Sequence, residues 1–199
     1  QDTWNDLYIG KTNYGSFNGD LDEVKIYNYQ LTPFDIEKEF VSSRGKKQTG
    51  LNLSKSEQDN ESAQVEGLVA HWKMDEASWD GTADEVIDYS GLGNHGVSAD
   101  DAHTTTTARY NRAGGFDGTD DRITIANDDS LNPSSAITIS AWFYANSFDG
   151  DSISGNCILS KGASTNGYWL VVGSGKAHFK WGSYLTNDLD SDTFNPTTG

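Results

Sequence analysis

Ile137-Thr-Ile-Ser-Ala-Trp-Phe-Tyr144 places Ile137, Ile139, Ala141 and Phe143 on one face and Thr138, Ser140, Trp142 and Tyr144 on the other. Successive side chains of a β-strand point to opposite faces, so this alternation predicts a strand. Bulk on both faces predicts a central one. Further on, Tyr168-Trp-Leu-Val-Val172 and Ala177-His-Phe-Lys-Trp181 flank Gly173-Ser-Gly-Lys176. The glycines there supply the permissive backbone angles of a tight hairpin. In the second arm Ala177, Phe179 and Trp181 share one face, and His178 and Lys180 share the other.

Helix is scarce. Thr32-Pro-Phe-Asp-Ile-Glu-Lys-Glu-Phe40 has an N-cap threonine, proline at the first helical position and acids in the first turn, which predicts one short helix. Residues 42–66 are rich in Ser, Lys, Gln, Asn and Glu and read as a flexible polar linker. Asn52-Leu-Ser and Asn60-Glu-Ser within it have the form of glycosylation acceptors. Phe17-Asn-Gly-Asp-Leu-Asp-Glu-Val-Lys-Ile26 aligns without a gap on Phe116-Asp-Gly-Thr-Asp-Asp-Arg-Ile-Thr-Ile125, which predicts two similar strands with similar entry turns.

A chain of 199 residues with 21 glycines, 3 prolines and a mean hydropathy of -0.64 is turn-rich, and no run is apolar enough for a membrane-spanning helix. The formal charge of -16 is spread over both flanking pieces while the linker is balanced. Such a surface repels phosphate backbones and anionic lipids, which argues against nucleic acid and membrane as partners. The single cysteine, Cys157, cannot form an internal disulfide and sits in a strand-like run, so it reads as a buried small hydrophobe.

Three further segments are informative in order: Gly67-Leu-Val-Ala-His-Trp-Lys-Met74, then Asp88-Tyr-Ser-Gly-Leu-Gly-Asn-His-Gly96, then Phe116-Asp-Gly-Thr-Asp-Asp-Arg-Ile-Thr-Ile125. Followed by the strand at 137–144, this series resembles the laminin-G-like, concanavalin A-type jelly-roll family. Leu7-Tyr-Ile-Gly and Gly19-Asp-Leu-Asp-Glu-Val-Lys-Ile-Tyr27 resemble the final strands of the same family. The resemblance implies an all-β jelly-roll sandwich of two antiparallel sheets with one short helix. It divides the chain into 1–41, the closing strands and helical turn of a laminin-G-like domain; 42–66, the linker; and 67–199, the N-terminal and central part of a laminin-G-like domain. An ending thus precedes a beginning. Either the chain is a window across tandem repeats of a multidomain protein, or the two pieces close on each other as one permuted sandwich.

Glycines in the 88–96 turn expose carbonyls while Asp88 and Asn94 supply hard oxygens, a donor type that suits Ca²⁺. The resemblance adds a carboxylate from the closing strands, Asp22 or its neighbour Asp20, and Asp117 or Asp121 extends the set. These acids equally suit Asx-turns that carry no ion. Tyr168, Trp169, His178, Lys180 and Tyr184, on or near the hairpin, are the candidates for a sugar-stacking edge, whereas Trp72 and Trp142 match family positions that pack inside.

Other chemistry is poorly supported. Gly10-Lys11-Thr12 lacks the earlier glycine of a phosphate-binding loop, because Asn5 stands there. Asp188-Leu-Asp-Ser-Asp192 begins like an EF-hand, but Thr193 replaces its glycine and Gly199 its bidentate acid, so it reads as a solvated acidic loop. His71, His95, His103 and His178 show no ligand spacing, and no nucleophile–base arrangement is visible. Acids cluster in turns, Glu23 being the main exception, which argues against a glycosidase pair. The expectation is a non-catalytic module, extracellular or on a bacterial or archaeal cell surface, that binds a glycan or glycoprotein in adhesion and carries structural calcium. The alternative is a filament protomer assembled by strand complementation with other copies of itself.

Overall fold

A computed structural model describes residues 5–42, 67–148, 150, 154–163, 166–182 and 188–191. The expected linker and its two sequons therefore lie outside the described residues, apart from Ser42. The described chain is an all-β sandwich of two antiparallel sheets with one α-helix. Its strands are β1 (Leu7–Ile9), β2 (Asn18–Tyr27), β3 (Leu68–Trp72), β4 (Gly96–Ala99), β5 (His103–Thr105), β6 (Ala113–Asp117) and β7 (Arg122–Ile125). They continue as β8 (Thr138–Ala145), β9 (Asn156–Ala163), β10 (Asn166–Gly173), β11 (Lys176–Trp181) and β12 (Asp188–Asp190). The helix α1 spans Pro33–Ser42.

One sheet runs in the order β12-β11-β10-β9-β1-β7-β4, and the other in the order β3-β2-β6-β5 with β8 paired to β2. The first piece of the chain supplies interior strands to both. Leu7 faces Ile125 across one ladder and Lys161 across the other, so β1 lies between β7 and β9. In the second sheet β2 pairs β6 with its first half and β3 with its second, while β8 runs along the opposite edge. Leu7, Ile9, Ile123, Ile125 and Leu159 meet Leu21, Val24, Ile26, Trp72 and Phe116 in the core. Burying each such side chain contributes about 2 kcal/mol, which is what holds the two pieces together.

The hairpin turn between β10 and β11 has Ser174 at φ 51° and Gly175 at φ 72°, the paired positive angles that match strand twist. Helix α1 opens with a reciprocal cap. The Asp35 N–H donates to Thr32 Oγ1 at 3.2 Å, and the Thr32 N–H donates to Asp35 Oδ2 at 3.0 Å. Cys157 is buried in β9, and burial pushes its thiol pKa up.

Three expectations are corrected. Among the described residues β8 pairs only with β2, and its inward Ile139, Ala141 and Phe143 are only partly buried, so it is not a central strand here. The echoed segments differ as well: Phe17 leads into the single strand β2, whereas Phe116 lies near the end of β6 and the chain then crosses to β7 in the other sheet. Their two phenylalanines instead pack edge to face, centroids 6.2 Å apart. Asp188–Asp190 forms a strand, because His178 and Lys180 of β11 pair with these acids across the ladder.

Candidate functional site

Strand β2 carries Asp20, Asp22 and Glu23, which corrects the expectation that strand interiors are poor in acid. Leu21 points into the core, so period-two geometry turns Asp20 and Asp22 to the outer face. A bulge follows, since Asp22 faces Trp142 while Lys25 faces Ser140. Glu23 sits in the bulge at φ 53°, a left-handed angle unusual for a side chain with a Cβ. The extra residue restores Val24 and Ile26 to the core and leaves Glu23 beside His71, 2.7 Å away.

The cross-strand partners of the two aspartates are aromatic: Asp20 faces Tyr144 and Asp22 faces Trp142. On the other side Asp20 faces Gly115, which adds no side chain. The segment before β6 brings Arg109 over this floor, its guanidinium carbon 4.6 Å from the Trp142 ring centroid and 5.5 Å from that of Tyr110. Asp20, Asp22, Thr107, Arg109, Trp142 and Tyr144 line the resulting cavity of about 210 Å³. Phe40 of α1 stacks on Trp142 with ring centroids 5.6 Å apart, and a second cavity of about 500 Å³ lies between α1 and β8, lined by Leu31, Ile36, Phe40 and Ile139 and, like the first, by Trp142.

Asp22 is the distinctive group. It is 3 % exposed, its Oδ2 accepts the Tyr110 N–H at 2.8 Å, and its Oδ1 has no hydrogen-bond partner among the described residues. Burial pushes its pKa up to about 6, with the Glu23 and Asp75 charges adding and the Tyr110 and Arg109 N–H groups opposing. Asp20 is also raised by burial, the charge of His103 opposing. Burial acts upward on Glu23 too, but the hydrogen bond and charge of His71, with Lys25 and Lys73, outweigh it and hold Glu23 low. Neither Asp20, Asp22 nor Arg109 makes an ion pair among the described residues.

The expected calcium donors are not brought together as one set. Asp88 Oδ1 accepts the N–H groups of His71 and Ser90, and Oδ2 accepts the Ser90 hydroxyl and the Asn94 N–H, all at 2.7 to 2.9 Å. The Asn94 carbonyl accepts Trp72 Nε1, and its side-chain amide donates to Val69 O and Ser130 Oγ. Four protein donors already engage the Asp88 carboxylate, so this turn does not fit an ion that needs about six to eight free oxygens. Asp20 and Asp22 line the groove. Asp117 groups with Asp120 and Asp121, ligand atoms within 4.8 Å of one another, but Asp121 is fully buried and accepts the Asp101 and Asp117 N–H groups.

The hairpin candidates divide by face. Tyr168 is a core residue whose hydroxyl donates to Leu131 O at 3.0 Å. Trp169, His178 and Lys180 lie together on the outer face of β10 and β11, with Tyr14 tilted against Trp169 at 6.2 Å. His178 Nδ1 is hydrogen-bonded to Asp190 at 2.5 Å and Lys180 is ion-paired to Asp188 at 2.7 Å; both residues are buried, and His178, Asp188 and Asp190 bring ligand atoms within 4.8 Å of one another. Tyr184 lies outside the described residues. Trp142 reverses its expected role. It lines the outer groove, whereas Trp72 is in the core as expected.

Compared with protein-family models, with curated proteins and with solved structures, the chain matches none. The functional reading therefore rests on the groove itself. Sequence reasoning missed Arg109, which has no local motif, and Trp142 as a ring lining the outer groove. The alternation at 137–144 did put Trp142 and Tyr144 on one face together, a signal that becomes informative once Ile139 and Phe143 are known to face the core.

Proposed function

We propose that this chain is a non-catalytic glycan-binding module, of laminin-G-like type, acting in adhesion outside the cell. The observation that carries the reading is Asp22 Oδ1, a buried acceptor without a partner among the described residues, beside an aromatic floor. Sugars present an apolar C–H face that stacks on Trp142 or Tyr144 and hydroxyls that donate to a waiting carboxylate oxygen. Supplying that donor offsets a desolvation cost already built into the fold. The acidic surface argues against a polyanionic partner such as nucleic acid, and among the described residues no helix is long and apolar enough to cross a membrane.

Calorimetry of the whole chain against a panel of oligosaccharides tests this, with Trp142→Ala as the paired variant. Binding that the variant loses supports the module. Binding that it retains unchanged removes the groove from consideration, and new reducing ends in the reaction mixture would replace the non-catalytic reading with hydrolysis by Asp20 and Asp22.

A second reading, exchange of the first piece between copies, is favoured by one observation. Strands β1 and β2 supply the middle of both sheets, and a ladder makes the same backbone hydrogen bonds whether its neighbours belong to the same chain or to a second copy. A folded dimer that interconverts with monomer as concentration changes would support it, and a monomer at all concentrations would remove it.

A further inference from the structure

We infer that the groove selects a glycan bearing protonated amines over neutral or acidic ones. The inference deepens the glycan reading of the same site and rests on it. Asp20 and Asp22 both open on the cavity, one partly and one almost fully buried, and neither is balanced by an ion pair among the described residues. A neutral hydroxyl would satisfy the free Oδ1 as a hydrogen-bond acceptor but leave its charge uncompensated. An ammonium group does both, and charge-assisted hydrogen bonds are roughly twice as strong as neutral ones.

The aromatic floor points the same way. A cation already sits on it, because the Arg109 guanidinium lies over the Trp142 face. A π-face attracts positive charge, so Trp142 beside two carboxylates forms a cation-recognition surface that the chain partly fills with its own arginine. Arg109 makes no ion pair among the described residues, and its hold on the floor is this ring contact, with Tyr110 as a second ring. An incoming amine displaces it or binds beside it. The other charged groups around the groove do not reverse the balance. Glu23 is held by His71 and Lys25, His103 reaches Asp20 only through space, and Asp75 adds a further negative charge near Asp22.

The test compares oligosaccharides carrying free amines with fully N-acetylated counterparts of equal length. Calorimetry on the full chain near neutral pH, with enough salt to screen the acidic surface at long range, gives the affinities. The expected result is binding of the amine series tighter by roughly tenfold or more. Asp22→Asn should remove most of that preference, and Arg109→Ala should strengthen amine binding by clearing the floor. Asp22→Asn keeps the side-chain shape, and its melting curve checks that the fold is intact; Arg109→Ala, at a surface position, provides an independent arm.

Equal or tighter binding of the N-acetylated series overturns the amine preference and leaves the glycan reading standing. Binding of neither series overturns both. An amine preference that survives Asp22→Asn and Trp142→Ala together assigns the effect to general charge attraction and overturns the inference.

Discussion

Asp22 stands directly across the β2–β8 ladder from Trp142, its Oδ2 anchored by the Tyr110 N–H and its Oδ1 free of any described partner. The pairing places a poorly solvated carboxylate against an aromatic ring on the outward side of a sheet, where packing does not require either. Carboxylates of this kind are costly to keep charged, and the cost makes them measurable.

The first prediction concerns pH. Burial raises the Asp22 pKa to about 6, so the folded state holds this proton where the unfolded chain has released it. Stability from this group is greatest below the ordinary carboxylate range and declines as pH rises through about 6. The difference in melting temperature between Asp22→Asn and the parent chain should therefore shift in favour of the variant from about pH 4 to pH 7. A difference that does not change with pH would mean that Asp22 is solvated.

Asp88 is predicted to act as a hydrogen-bond anchor. Asp88→Ala strands the N–H groups of His71, Ser90 and Asn94, with an expected loss of about 3 kcal/mol or more in denaturant unfolding. The loss should be the same with added calcium and with chelator. A penalty that appears only with calcium would restore the turn as an ion site.

Two aromatic substitutions should separate packing from binding. Tyr168→Phe removes the hydroxyl bond to Leu131 O and should cost about 1 kcal/mol of stability while leaving glycan affinity unchanged. Trp142→Ala should do the reverse in emphasis, with ligand affinity as its main loss. If Tyr168→Phe weakens binding and Trp142→Ala does not, the ligand face is on the other sheet.

Lys161 offers an independent pH signal. Its ammonium donates to Asn5 O at 2.8 Å and Asn127 Oδ1 at 2.7 Å while the residue is 1 % exposed. Burial pulls its pKa down to about 8, the charges of Asp6 and Asp128 opposing. The folded state thus releases this proton before the unfolded chain does, and the contribution to stability rises as pH climbs through about 8 toward 10. Lys161→Met should abolish that rise in melting curves, and an unchanged rise would assign it elsewhere.

The strands and the hairpin were legible because their signals are local. Alternation at 137–144, two glycines at 173 and 175, and a threonine three residues before an aspartate each describe a few neighbouring residues. The groove was not legible for the opposite reason. It joins Asp20 and Asp22 to Arg109, Trp142 and Tyr144 through sheet register, and no local pattern reveals which distant strand becomes a neighbour. The bulge at Glu23 adds to the difficulty, since one extra residue reverses the inward and outward sense of everything after it. Asp88 shows a different gap. Oxygen-rich turns that hold an ion and those that hold their own backbone share a composition, and only the count of donors separates them.

The insertion of β1 between β7 and β9 also sets an order of assembly. Leu7 is synthesised well before its ladder partners Ile125 and Lys161. Until then β1 and the amphipathic β2 lack these partners, so closing their ladders waits on contacts of long sequence separation, which form slowly. The waiting strands are exposed edges, open to capture by chaperones or by a neighbouring nascent chain.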